Sequence, residues 1–272
     1  MIIPGICSLT LKTLSPEEVI RFASDHQLKA IEWWAGGHVI PGEVGRAAEV
    51  GRLTREAGIT VSSYGSYYRA GVSEAAGMPF APVLDAAVAL GAPTIRIWAG
   101  NKNPAMADAA WVAQVIADTN RIADLAANQG VSITFEFHDG TLTNSNENVR
   151  LFAEQVPHPN VYFSWQPPHG FSQEHSVSGL AGLIPRLTTL HCFHWTIGSY
   201  DKNLFNEIER VLSRPADYYR HPLADGRSRW QAYIEKARTS GRDHCVLLEF
   251  VKGDTVAQAS ADAAELVELC RD

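Results

Sequence analysis

Four polar residues that follow short apolar stretches have the side chains of a metal-dependent site. Two are glutamates, Glu136 and Glu249, one is an imidazole, His191, and one is an amide, Gln166. Carboxylates, an imidazole and an amide oxygen form a hard ligand set that suits Mn²⁺, Mg²⁺ or Co²⁺, with Zn²⁺ as an alternative. Two glutamates that converged without a cation would repel each other, and one would be protonated. The residue types therefore fit one divalent ion.

A second interpretation stays open from the residue types and their spacing. Burying a glutamate or a histidine is costly unless the group is paired or bound to a metal. The same four residues fit hydrogen-bonded polar side chains that line a cavity and hold no ion.

Eight short apolar runs must position these residues. They are rich in β-branched and aromatic residues and contain few breakers, as strands do. The runs are Ile2–Ser8, Ala30–Trp34, Thr60–Tyr64, Thr94–Trp98, Ser132–Phe137, Val161–Trp165, Leu187–Phe193 and Cys245–Phe250.

Longer amphipathic segments with helix signals separate the runs. Ser15 followed by Pro16 and Glu18 is typical of a helix start, and Gly58 and Gly91 stand where helices end. Eight strands alternating with helices predict a single α/β domain over residues 1–272, a (β/α)8 TIM barrel. A doubly wound open sheet is the alternative, but the chain has no GxGxxG or GxxxxGK[ST] fingerprint.

Strand alternation brings the polar residues together. Side chains of a strand point alternately to the barrel interior and to the helices. In the fifth run the phenylalanines face the helices, which turns Glu136 and His138 inward. The same rule turns Gln166, His191 and Glu249 inward in the next three runs. Since barrel chemistry lies at the carboxyl ends of the strands, we expect a common cavity there.

Composition narrows the class of protein. The formal net charge is −7 over 272 residues and no run of Lys or Arg occurs, which disfavours a nucleic-acid partner. The four cysteines form no CxxC pair, and the first residues have no basic region before an apolar stretch. No apolar run approaches the length of a membrane span. We expect a cytoplasmic protein that binds no membrane.

The ordered motifs resemble the sugar isomerase/epimerase group of xylose isomerase-like TIM barrels. The similarity extends along the whole chain. Its motifs here are Ile31-Glu32-Trp33, Gly37-His38-Val39, Ile95-Arg96-Ile97-Trp98-Ala99-Gly100, Glu136-Phe-His138, Gln166-Pro-Pro-His169, His191 and Glu249.

The resemblance implies a ligand set and its position. In the family, Glu, Asp, His and Glu from strands five to eight typically hold one metal ion. These positions are Glu136, Gln166, His191 and Glu249 here. The family's Asp-x-x-His pattern reads Gln166-Pro-Pro-His169, so a neutral amide replaces one carboxylate. Losing that charge should weaken metal binding and should leave the ion more Lewis acidic.

The resemblance also implies a reaction on a small sugar or polyol-derived hydroxy-ketone. Glu136 and Glu249 would take and return a proton through an enediolate, as catalytic acid and base. The predicted substrate-binding residues are His169, Arg96, Trp98, Glu32, His38 and His138. An ion pair between Arg96 and Glu32 is the alternative for those two residues, and a supporting role is the alternative for His138.

Other functions on this scaffold remain to be distinguished. A dehydratase or lyase would use the same enolate to expel a hydroxyl group. A sugar-binding relative with reduced catalysis would explain Gln166. DNA repair, known among distant endonuclease relatives, conflicts with the acidic charge and the missing ligands. Relatives are often dimers or tetramers, so the resemblance also implies a homodimer or homotetramer.

Overall fold

A closed barrel of eight parallel strands forms the centre of the molecule. The computed structural model describes residues 1–197 and 218–271. The barrel strands are β1 (Ile2–Cys7), β2 (Ala30–Trp34), β3 (Thr60–Arg69), β4 (Thr94–Trp98), β5 (Ser132–Glu136), β6 (Val161–Trp165), β7 (Leu187–Cys192) and β10 (His244–Leu248). Each pairs with its neighbour in chain order, and β10 closes the barrel against β1. The predicted (β/α)8 architecture is confirmed.

Helices cover the outside of the barrel. Within the described residues they are α1 (Pro16–Asp25), α2 (Val44–Glu56), α3 (Phe80–Leu90), α4 (Ala109–Ala127), α5 (Asn146–Gln155), α6 (Gln173–Leu183), α7 (Arg227–Arg238) and α8 (Val256–Cys270). The predicted helix signals are in place. Ser15 and Glu18 form a reciprocal capping box, and Gly58 and Gly91 have φ values of +71° and +77°.

Two features of the strands were not predicted. β3 continues from Tyr64 to Arg69 and changes its register with β4 after Gly65, so Arg69 pairs with Trp98 above the barrel. A short antiparallel pair, β8 (His194–Ile197) and β9 (Tyr218–His221), follows β7. A register shift breaks strict alternation, and for this reason the periodicity did not reveal the end of β3.

Apolar side chains separate into two layers that follow the predicted alternation. The large layer between strands and helices includes Trp33, Phe135 and Trp165. A small cluster inside the barrel contains Cys7, Ala30 and Leu247, with Ile3 and Cys245 packed against it. The cluster meets the polar side chains at Cys7, whose Sγ lies 3.8 Å from Glu32 Oε1.

The described helices show no membrane span. None combines the length and the apolar character that a bilayer crossing requires.

Candidate active site

Two glutamates and one histidine converge inside the upper end of the barrel. His191 Nδ1 lies 3.7 Å from Glu136 Oε1 and 3.4 Å from Glu249 Oε2. The side chains come from the end of β5, from β7 and from just past β10, and all three are buried. Each offers a ligand atom within a sphere small enough for one ion. The strand alternation expected from the sequence therefore brings these three residues together.

Gln166, which directly follows β6, is the fourth predicted ligand. Its Nε2 donates to the backbone carbonyl of Phe137 at 2.6 Å. Its Oε1 is buried and accepts no hydrogen bond from any residue that the structure describes. A buried amide oxygen without a partner is unfavourable unless another group, such as a cation, satisfies it. This orphaned oxygen fits a divalent ion held by Gln166 with the two glutamates and His191.

Arg96 forms ion pairs with two buried carboxylates, Glu32 and Glu136. Its Nε donates to Glu32 Oε1 at 2.9 Å, and its Nη1 donates to Glu136 Oε2 at 2.5 Å. Trp98 Nε1 donates to the same Glu136 oxygen at 2.6 Å, and Ser63 donates to Glu32 Oε2 at 2.6 Å. These contacts confirm the ion pair of Arg96 with Glu32 that the sequence left as an alternative.

The positive charge of Arg96 keeps the carboxylates of Glu32 and Glu136 ionised. Burial raises the pKa of Glu32, but the positive charges of Arg96 and His191 outweigh it and lower that pKa to about 2. Burial likewise opposes ionisation of Glu136, and Arg96 again outweighs it, so the pKa of Glu136 lies well below its ordinary value. A carboxylate that stays charged can serve as a metal ligand across the physiological pH range.

The environment of His191 is strongly acidic. Burial lowers the pKa of its imidazole, but the surrounding groups Cys7, Glu249 and Glu32 raise it well above the ordinary value. Its Nε2 lies 3.5 Å from Glu32 Oε2 and makes no hydrogen bond within the described residues. Glu32 thus faces the ring nitrogen opposite the one that faces the other two carboxylates, where it can orient the imidazole.

Cys7, Glu32 and His191 form a second triplet with convergent ligand atoms. It fits an ion less well than the first. Arg96 already bonds Glu32 from within the site, and burial raises the pKa of the Cys7 thiol far above its ordinary value. A neutral thiol is a weak ligand.

His38 is enclosed beside β2. Its Nε2 lies 3.0 Å from the carbonyl of Leu14, and its Nδ1 lies 2.8 Å from Ser8 Oγ. A carbonyl only accepts, so Nε2 carries the proton and Nδ1 accepts from Ser8. Both nitrogens hold the loop after β2, and substrate contact by His38 stays a prediction.

The other predicted substrate-binding residues lie around the mouth. His138 follows β5, its ring centroid is 5.4 Å from that of Trp98, and it is partly exposed. His169 stacks on Trp195 with centroids 5.0 Å apart and lines a cleft with Pro167 and Arg229. Their contact with substrate stays a prediction. Arg69 at the end of β3 was not identified from the sequence.

The sequence profile of xylose isomerase-like TIM barrels matches residues 20–271. The chain belongs to the xylose isomerase-like TIM barrel family. A search of curated protein sequences found no match.

Solved structures of similar fold include enzymes and a metal complex. The probable 3-DHS dehydratase AsbF from Bacillus anthracis has a TM-score of 0.76 and 18% identity, with 100% of each chain covered. A D-allulose 3-epimerase from Methylomonas sp. has a TM-score of 0.67 and 16% identity, covering 98% of this chain and 96% of that one. A xylose isomerase-like TIM barrel protein from Mycobacterium smegmatis in complex with magnesium has a TM-score of 0.68 and 13% identity, with 98% and 96% covered. At these identities the likeness shows the shared xylose isomerase-like fold.

Proposed function

We propose that this protein is a metal-dependent isomerase or epimerase of a small hydroxy-ketone derived from a sugar or polyol. One observation carries the proposal: Glu136, His191 and Glu249 bring their ligand atoms close enough together for one ion. The buried Oε1 of Gln166, which follows β6, accepts no hydrogen bond from the described residues and is the fourth candidate ligand. These four residues would hold one divalent ion, Mn²⁺, Mg²⁺ or Co²⁺, with Zn²⁺ as an alternative. When bound, the ion would supply Lewis acidity toward the carbonyl of the substrate.

The two glutamates have different surroundings and therefore different tasks. Arg96 and Trp98 both donate to Glu136 Oε2, which holds that carboxylate in one orientation. The Glu249 carboxylate contacts His191 and accepts no hydrogen bond within the described residues. Its lone pairs are accordingly available for a proton. We assign Glu249 as the base that removes the proton next to the carbonyl and returns it to the neighbouring carbon in an isomerisation.

The remaining predicted residues would bind and orient the substrate. His138 and His169 stand at the mouth, where an imidazole can donate to a hydroxyl or carbonyl oxygen. Glu32 would fix the orientation of His191, and Arg96 would fix that of Glu136. We expect the protein to act in the cytoplasm as a homodimer or homotetramer.

A dehydratase is the second candidate, and one observation favours it. Because Arg96 and Trp98 hold Glu136 as a carboxylate, Glu249 is the better of the two bases. A single base suffices to remove a proton and return it to the neighbouring carbon, or to expel a β-hydroxyl. Epimerisation needs a second group that arrives protonated on the opposite face.

Deuterium exchange tests the proposal. Metal-depleted protein is reloaded with Mn²⁺, Mg²⁺ or Co²⁺, and ketoses and hydroxy-ketones are followed by NMR in D2O. An isomerase or epimerase incorporates deuterium next to the carbonyl, whereas a dehydratase also loses the hydroxyl group. Glu249→Gln should abolish exchange, and Glu154→Gln, an exposed acid on α5, should leave it unchanged. Full activity in metal-depleted protein would refute the mechanism.

A further inference from the structure

Arg69 occupies the rim of the barrel beside the candidate active site. The extension of β3 beyond Tyr64 carries it there, opposite Trp98 at the end of β4. Its guanidinium carbon lies 4.3 Å from the ring centroid of Trp98. The same indole donates from Nε1 to Glu136. One aromatic ring therefore separates the Arg69 guanidinium from a carboxylate of the site.

The backbone of Arg69 is firmly held. Its N–H donates to Ser73 Oγ at 2.8 Å, and its carbonyl accepts from the N–H groups of Val72 and Ser73 at 3.0 Å each. On this backbone, the stacking on Trp98 and the bond from Nη1 to the carbonyl of Gly100 hold the guanidinium before any ligand arrives. Preorganised charge binds an anion without the cost of ordering a flexible chain.

Most of the hydrogen-bonding capacity of Arg69 is unused. A guanidinium has five N–H donors, and among the described residues Arg69 donates only through Nη1, to the carbonyl of Gly100 at 3.2 Å. No carboxylate among the described residues forms an ion pair with it. Arg186, another partly buried arginine, donates through all three of its nitrogens to backbone carbonyls. Arg186 has a structural task, whereas Arg69 keeps donors for a ligand.

The net charge of the site with a divalent ion bound also allows an anionic ligand. Glu32, Glu136 and Glu249 are three carboxylates, and Arg96 together with a divalent ion would balance them. Gln166 adds no charge where the family pattern has an aspartate. Arg69 then contributes a positive charge beyond this balance, and Glu136 acts on it at a distance without forming an ion pair with it.

We propose that Arg69 binds an anionic group, a carboxylate or a phosphate, on the substrate. The inference rests on the proposed function, since it places the hydroxy-ketone of that substrate at the four candidate ligands. It restricts the substrate class to anionic hydroxy-ketones and explains the neutral Gln166. A guanidinium pairs with either anion through two parallel hydrogen bonds.

Three ligands that share a hydroxy-ketone test the inference by calorimetry on Mg²⁺-loaded protein. Dihydroxyacetone is neutral, hydroxypyruvate carries a carboxylate, and dihydroxyacetone phosphate carries a phosphate. We expect wild type to bind one of the two anions about 10- to 100-fold more tightly than the neutral ligand, the effect of charge-assisted hydrogen bonds. Arg69→Gln should abolish this preference, and Arg69→Lys should keep part of it. Arg21→Gln, an exposed arginine on α1, should behave as wild type.

The outcomes separate this inference from the proposed function. If all three ligands bind alike, or if Arg69→Gln weakens neutral and anionic ligands equally, Arg69 only packs on Trp98 and the inference is wrong while the proposed function stands. If no ketone binds, the proposed function is wrong. Titrations with inorganic phosphate and acetate then decide on Arg69 alone: loss of binding in Arg69→Gln supports the anion site, and identical or absent binding in wild type and variant overturns it.

Discussion

Gln166 turns its amide nitrogen toward the carbonyl of Phe137, at 2.6 Å, which leaves its oxygen as a buried acceptor that receives no hydrogen bond from the described residues. This orientation has a physical cause. The nitrogen is the only part of the amide that can donate to a carbonyl, so the bond to Phe137 determines which atom remains. Pro167 and Pro168 follow directly and restrict the backbone beyond it.

Gln166→Asp should strengthen metal binding. It restores a charged ligand at the cost of the bond to Phe137, and a charged partner in place of a neutral one corresponds to roughly a 10- to 100-fold lower dissociation constant. Gln166→Leu has a similar volume and no oxygen, and should weaken binding. Titration of Mn²⁺ by calorimetry into the three proteins gives the comparison. Equal affinities would mean that residue 166 does not contact the ion.

Arg96→Met should destabilise the metal-free protein. The change leaves Glu32 and Glu136 as buried carboxylates without their cation, and loss of one partner from a buried ion pair costs about 3–5 kcal/mol. Urea unfolding in the presence of a chelator measures this loss.

Arg52→Met is the matched control for this variant. Arg52 pairs with Glu56 on the surface of α2, and both side chains are more than half exposed. A surface pair of this kind contributes about 1 kcal/mol or less. An equally small loss for Arg96→Met would show that Glu32 and Glu136 do not depend on Arg96.

The barrel and the convergence of Glu136, His191 and Glu249 could be predicted because strands have a period of two. Once Phe135 and Trp165 face the helices, Glu136 and Gln166 must face the interior, and no distant contact changes that. Arg69 could not be found in this way, since the register shift after Gly65 breaks the alternation. The unused donors of Arg69 become visible only when its spatial neighbours are known.

The surroundings of His38 and Arg96 were also beyond local patterns. His38 is held by Ser8 and Leu14, which precede it by 30 and 24 residues. Arg96 receives its two carboxylates from strands on either side of β4. Neither partner set follows from the sequence around these residues, because barrel closure brings the partners together.

His38 should make folding stability depend on pH below neutrality. Burial lowers the pKa of its imidazole in the folded protein, and the hydrogen bond to Leu14 only partly offsets this. In the unfolded chain the imidazole takes up a proton near pH 6.5. The unfolded state therefore binds more protons below that pH. The contribution of His38 is complete above pH 6.5 and is lost as the pH falls.

The free energy of unfolding of metal-free wild type and His38→Gln between pH 8 and roughly pH 5 tests this expectation. Wild type should lose more stability than the variant on acidification, because the variant lacks the titrating group. Parallel profiles would show that His38 is not held in its neutral form by Ser8 and Leu14.

An anomalous difference map at the manganese edge, from crystals grown with Mn²⁺, tests the central claim most directly. We expect one peak per chain inside the upper barrel, at about 2.0–2.4 Å from oxygens of Glu136, Glu249 and Gln166 and from Nδ1 of His191. A map without a peak among these residues, or with a peak held by other residues, would contradict the assignment of this group as the metal site.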